Sequence, residues 1–137
     1  MMKIMALDVG DARIGIAYAD ALELSVNPLE SYVRKNTEND YIHIAKLIKD
    51  YRIERVVVGL PLNMDGTEGD RVEKTKVFAD TLRNYTDVQM VWQDERLTTV
   101  TAERLLIEQG MRREKRKTVI DKVAAMVILS SYLESKR

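Results

Sequence analysis

Cysteine is absent from the 137 residues, so neither a disulfide nor a thiolate metal site is available to this chain. Histidine occurs once, at His43, which excludes a multi-histidine zinc site. No apolar run reaches the length of a membrane span, and the N-terminus lacks the apolar segment of a signal peptide. The cytoplasm is therefore the expected location, with no membrane partner. Nor is there an excess of charge: 22 Lys and Arg balance 22 Asp and Glu, so a nucleic-acid partner would need a local basic patch. No repeat, low-complexity tract or linker divides the chain. With 45% hydrophobic and 32% charged residues, it reads as one globular domain over residues 1–137, long enough to bury a core.

The most informative stretch is the first. Lys3 to Val9 is mostly apolar, as in a central strand covered on both faces, and Asp8 interrupts it near its C-terminal end. A buried carboxylate is costly there unless it is compensated. Gly10 and Gly15 are expected to let the chain turn into a second strand, Ile14 to Ala19, with Arg13 across from the acid. Ala21 to Asn27 reads as a turn, and Pro28 directs Leu29 to Val33 into an edge strand.

Asn36 or Thr37 then caps a helix with Glu38 and Asp40 in its first turn, burying Tyr41, Ile44, Ala45, Ile48 and Tyr51. His43 falls off that stripe and reads as solvated. Arg55 to Leu60 has the pattern of a buried parallel strand. Leu62 to Gly69 forms a loop at its C-terminal edge, where open α/β sheets place ligands. A helix from Asp70 carries Thr75, Phe78, Ala79, Leu82 and Tyr85 on one side. Val88 to Trp92 is a further strand, ending in Gln93-Asp94-Glu95-Arg96. Thr98 or Thr99 caps a helix through Gln109, buried by Ala102, Leu105 and Leu106 and closed by Gly110. Residues 111–118 hold five cations, Arg112, Arg113, Lys115, Arg116 and Lys117, against Glu114 alone, and read as a loop ahead of the last helix. That helix runs from about Val119 to Glu134, with Asp121, Ala124, Ala125, Ile128 and Tyr132 on one face. The alanines permit close approach to a sheet, so Asp121 is expected to point at it. The order is α/β: three antiparallel strands, then helix-linked parallel strands, in a mixed five-stranded sheet flanked by helices.

Three acidic sites follow: Asp8, the Asp94-Glu95 pair and Asp121. Strand alternation sends only one of Asp94 and Glu95 into a common cleft. Carboxylates gathered without His or Cys suit Mg²⁺ or Mn²⁺. Two such ions, about 3.5–4 Å apart, activate a water and stabilise the leaving oxygen in phosphodiester hydrolysis. The basic block lies just before Asp121, where it can hold a polyanion by its phosphates. Together these features favour a metal-dependent nuclease. The alternative from the same residues is a nucleic-acid-binding module that uses the basic block but not the acids.

Four motifs then align in order: Asp8-x-Gly10-x-x-Arg13-Ile14-Gly15-x-Ala17, Gly59-Leu60-Pro61-Leu62 with Asn63-Met64-Asp65-Gly66, Asp94-Glu95-Arg96-Leu97-Thr98, and Asp121-x-x-Ala124-Ala125. They resemble the successive motifs of the YqgF (RuvX) family over almost the whole chain. The resemblance implies an RNase H-like fold and Asp8, Glu95 and Asp121 as catalytic, metal-binding acids. It makes Arg13 and Arg96 phosphate-facing. Family members are described as nucleases maturing the 5′ end of pre-16S ribosomal RNA and as Holliday-junction resolvases. It thus implies a structured RNA or branched DNA partner, with RNA processing preferred, and a monomer or homodimer. Asp11-Ala12 departs from the pattern, since many relatives carry lysine before the arginine. Actin-like and sugar-kinase ATPases share the sheet topology but enclose nucleotide between two such domains, which this chain is too short to supply.

Overall fold

The computed structural model describes residues 2–20, 22, 25–96 and 98–136. The strands are β1 (Lys3–Val9), β2 (Arg13–Asp20), β3 (Ser25–Val33), β4 (Arg55–Leu60) and β5 (Gln89–Asp94). The helices are α1 (Glu38–Asp50), α2 (Asp70–Leu82), α3 (Thr98–Glu108) and α4 (Arg113–Ser135). The sheet order is β3-β2-β1-β4-β5, antiparallel from β3 to β1 and parallel from β1 to β5. This is the mixed sheet expected, with the acid-bearing strand at its centre.

Side chains alternate across β1. Met5, Leu7 and Val9 join Ile44, Ile48, Phe78 and Leu82 beneath α1 and α2. Ile4 and Ala6 join Ala125, Ile128, Leu129 and Leu133 beneath α4. By the same alternation Asp8 belongs to the α4 face. Helix α3 packs on α4 outside that layer.

Several boundaries and roles differ from expectation. The third strand starts at Ser25 rather than Leu29, because Pro28 sits on an edge strand opposite Ala17, where the register slips between Ile16 and Ala17. Of the turn read at Ala21 to Asn27, Ala21, Glu23 and Leu24 lie outside the described residues. Gly15 does not serve the turn; it lies within β2, directly opposite Asp8. The block from Arg113 to Lys117 is no loop but the opening of α4. Its Arg, Lys and Glu residues are good helix formers, and Arg116 anchors it by donating to Glu103 of α3 at 2.9 Å. Leu105 is exposed, while Ala102 and Leu106 are buried as expected. Gly110, at φ +74°, closes α3: its N–H donates to Ile107 O and that of Met111 to Leu106 O. Tyr85 lies past α2 and stacks on Tyr41.

Thr37 caps α1 by accepting from Asn39 N–H. His43 is not simply solvated: it pairs with Glu30 at 2.6 Å and stacks on Tyr32. Asp40 is fully buried rather than a surface acid of the first turn. It accepts from Tyr32 Oη at 2.9 Å, Lys35 N–H at 2.9 Å, Asn36 N–H at 3.0 Å and Arg34 Nε at 3.4 Å. Burial opposes its charge, yet these donors hold its carboxyl below the ordinary range.

Candidate active site

One row of residues crosses the sheet on the α4 side. Asp8 lies opposite Gly15 on β2, Gly15 opposite Ser31 on β3, and Gly59 one step beyond the Leu7–Val58 pair on β4. Each glycine admits a different acid. A Cβ on Gly59 would lie 2.7 Å from Glu95 Cδ and 2.8 Å from its Oε2, so the Glu95 carboxyl rests on the bare backbone beside Asp8. A Cβ on Gly15 would fall 1.8 Å from the carbonyl oxygen of Asp121, so α4 crosses in backbone contact there. Ser31 ends the row by donating to Asp121 Oδ2 at 3.1 Å.

The Asp8 and Glu95 carboxyls face each other closely enough to share a hydrogen bond. Burial is the main cause pushing the Glu95 carboxyl up to about 9, and the charge of Asp8 and the hydrogen bond to it add to this. Burial also raises Asp8, as does the charge of Asp121, whereas the bond from Glu95 and the charge of Arg71 oppose the rise. Among the described residues no group of three or more Asp, Glu or His side chains is placed to hold a metal ion. Asp8 and Glu95 meet, but Asp121 is engaged by Ser31.

The chain after β5 sorts its two acids. Glu95 N–H donates to Leu60 O at 3.1 Å, continuing the β4–β5 ladder. Asp94 turns away to an exposed ion pair with Arg96 at 2.8 Å, which holds its carboxyl low. Arg96 also donates to Met64 O at 3.2 Å, tying the acid segment to the 62–69 loop. Its nitrogens are therefore largely committed within the protein. Leu97, next in that motif, lies outside the described residues. The loop is itself well bonded: Asn63 N–H donates to Thr67 O, and Asp65 accepts from Thr67 N–H and Oγ1.

The structure leaves Arg13 exposed, with no side-chain hydrogen bond or ion pair among the described residues. Arg112, Arg113, Lys115 and Lys117 are exposed around the start of α4, and only Arg116 is clamped. Lys117, one turn before Asp121, shares its side of α4. A cleft of about 400 Å³ opens on Asp8 and Glu95 and is lined by Leu62, Asn63, Arg71 and Arg96. A larger concavity, about 840 Å³, lies at the opposite end of the sheet around Ile42, Arg52, Glu54 and Gln89, away from the acid pair. Sequence reasoning singled out neither Arg71 nor Ser31, and it placed Gly59 in a motif without seeing that Glu95 rests on it. Only Gly59 carried a local signal, as a glycine in the β-branched strand that opens the Gly59-Leu60-Pro61-Leu62 motif.

The sheet order, with the half-buried Asp8 near the end of β1 and Glu95 just past β5, defines an RNase H-like fold. Solved structures with this fold include T. thermophilus RuvC in complex with a Holliday junction substrate. That match has a TM-score of 0.60 at 13% identity, covering 99% of this chain and 96% of the other. Fowlpox virus resolvase in complex with Holliday junction DNA gives a TM-score of 0.62 at 14% identity, covering 98% and 99%. The family model RuvX, described as Holliday junction resolvase, matches residues 2–135. A protein of Halothermothrix orenii named "Putative pre-16S rRNA nuclease" is 50% identical over 132 residues, 96% of this chain and 94% of its own. A protein of the same name from Halalkalibacterium halodurans is 46% identical over 138 residues, 99% of both chains. The chain belongs to the RuvX family.

Proposed function

We propose that the protein is a divalent-metal-dependent nuclease that hydrolyses phosphodiester bonds in structured nucleic acid. Its preferred substrate is the 5′ end of pre-16S ribosomal RNA, in the cytoplasm. The observation that carries this reading is the desolvated Asp8–Glu95 pair at the C-terminal edge of a parallel sheet, where open α/β sheets place their ligands. Its oxygen-only donors, two carboxyls set side by side where a cation would relieve their repulsion, suit Mg²⁺ or Mn²⁺. Asp8 and Glu95 would hold such an ion, with Asp121 the third acid on the same face.

Bound there, a divalent ion supplies a polarised water and charge stabilisation for the leaving oxygen. The protein's own part is to orient and to bind. Asp8 is fixed by the central strand, Glu95 by its ladder bond to Leu60, and Asp121 by Ser31. Arg13, Arg112, Arg113, Lys115 and Lys117 give an exposed cationic surface for the phosphates flanking the cleavage site. The choice of RNA over DNA rests on the names of the similar proteins. The family description supports a second reading, resolution of a four-way DNA junction, for which a homodimer is the expected assembly.

The test is a cleavage assay with Mg²⁺ or Mn²⁺ on a 16S precursor 5′ segment and, in parallel, a four-way DNA junction. Wild type should cut the RNA, and Asp8→Asn should reduce cutting to background. Junction cutting alone would move the substrate to DNA. Binding without cleavage of either would leave only a binding module.

A further inference from the structure

The two arginines of the acid cleft are in opposite situations. Arg96 spends its nitrogens on Asp94 and on the Met64 carbonyl. Arg34, Arg55 and Arg116, partly buried arginines elsewhere on the molecule, are likewise committed: to Asp40 and Gly10, to Gln89 and Tyr132, and to Glu103 and Met111. Arg71 makes no side-chain hydrogen bond and no ion pair within 4.0 Å among the described residues. It nevertheless lines the cleft with Asp8, Asn63 and Glu95. Its charge is close enough to act on both carboxyls, while remaining outside salt-bridge distance of either.

A guanidinium in that position carries five N–H donors with no protein acceptor. If its task were to neutralise the acids, closing on Asp8 or Glu95 would satisfy it. It stands off instead, on the second residue of α2, at the rim of a cleft open to solvent. An anion entering the cleft would meet Arg71 on one side and the carboxylates on the other. The planar fork matches two oxygens of a phosphate, a geometry that lysine lacks.

We propose that Arg71 is a catalytic residue of this site, its guanidinium gripping a non-bridging oxygen of the scissile phosphodiester as that group enters the cleft beside Asp8 and Glu95. The inference rests on the nuclease reading above. It differs from the roles of Arg13 and the α4 cations, which lie outside the cleft and would hold flanking phosphates. Charge that develops on the phosphoryl oxygens during hydrolysis is stabilised by a donor already aimed there.

The experiment compares wild type, Arg71→Gln, Arg71→Lys and, as a control on the same helix, Lys76→Gln. The first readout is cleavage of the 16S precursor 5′ segment with Mg²⁺ at varied substrate. Arg71→Gln should lower kcat about 10²–10³-fold, as loss of one pre-aimed donor does, with a much smaller change in KM. Arg71→Lys should recover part of the loss, and Lys76→Gln should match wild type. A kcat for Arg71→Gln within twofold of wild type overturns the proposal. The second readout is metal-free binding of a labelled RNA hairpin, by fluorescence anisotropy across a salt series. Here Arg71→Gln should reduce the slope of log affinity against log salt by about one. If wild type cleaves nothing, the nuclease reading fails and this second arm decides: a lost unit of slope keeps the phosphate contact, and an unchanged slope removes it.

Discussion

Asp8 lies between two glycines on one row of the sheet, and each keeps a space that a methyl group would fill. At Gly59 the atoms in the way are side-chain atoms, Ile128 Cδ1 at 2.6 Å and the Glu95 carboxyl. These can move. Gly59→Ala should therefore fold, at a cost of about 1–3 kcal/mol for overpacking, and displace Glu95 from Asp8. Cleavage should fall far more than stability, as a melting curve and a rate measured on one preparation would show. Equal activity would mean that Glu95 need not sit beside Asp8. At Gly15 the obstacle is the Asp121 backbone itself, at 1.8 Å. Gly15→Ala should lift α4 from the sheet and cost about 3 kcal/mol or more, near the upper end of overpacking penalties. The sequence showed both glycines but not these tasks, because the neighbours that impose them are more than thirty residues away in the chain. Arg71 and Ser31 were hidden for the same reason: nothing in their local sequence announces a cleft.

The element that departs furthest from its sequence pattern is the turn from β3 into α1. Asp40 looks like an ordinary first-turn acid, yet it is buried as the shared acceptor of four donors. Arg34, bound to it, also donates to the Gly10 carbonyl at 2.8 Å, linking this turn to the one that follows Asp8. Asp40→Asn should destabilise the protein by about 3 kcal/mol, the scale for breaking a buried charged pair. Because the folded-state carboxyl lies below its ordinary 3.8, Asp40 stabilises the fold above that pH. That contribution disappears as pH falls through the lower folded value. Acid unfolding of the variant should lack this component. Helix α4 departs differently, since its apolar stripe begins only at the sheet while its helix begins six residues sooner, in the basic block. Burial periodicity locates where a helix is covered, not where it starts. Replacing Arg112, Arg113 and Lys115 by Ala should lower RNA affinity evenly across sequences and flatten its salt dependence. An unchanged slope would make that turn of helix merely solvated surface.

On the scale of the whole molecule, the order of strands and helices was legible because uninterrupted apolar runs mark the buried strands and helical stripes mark their covers. The three acids stood out because two of them end such runs and the third sits on a stripe. Their convergence is only partly realised, with Asp8 and Glu95 joined and Asp121 tied to Ser31. This pairing sets how stability depends on pH. Glu95 ordinarily loses its proton near 4.5 but holds it to about 9 in the folded chain. The folded state therefore binds more protons across that window, and metal-free stability should decline as pH rises through it. A cation bound by the pair should reverse that decline. The most direct measurement is the melting temperature at pH 8, with and without Mg²⁺, for wild type and Asp8→Asn. If the acids form a divalent-ion site, wild type gains several degrees with saturating Mg²⁺, as about 100-fold excess over Kd is worth about 2.7 kcal/mol. Asp8→Asn should be at least as stable without metal and gain almost nothing with it. An equal Mg²⁺ response in the two proteins would contradict the account.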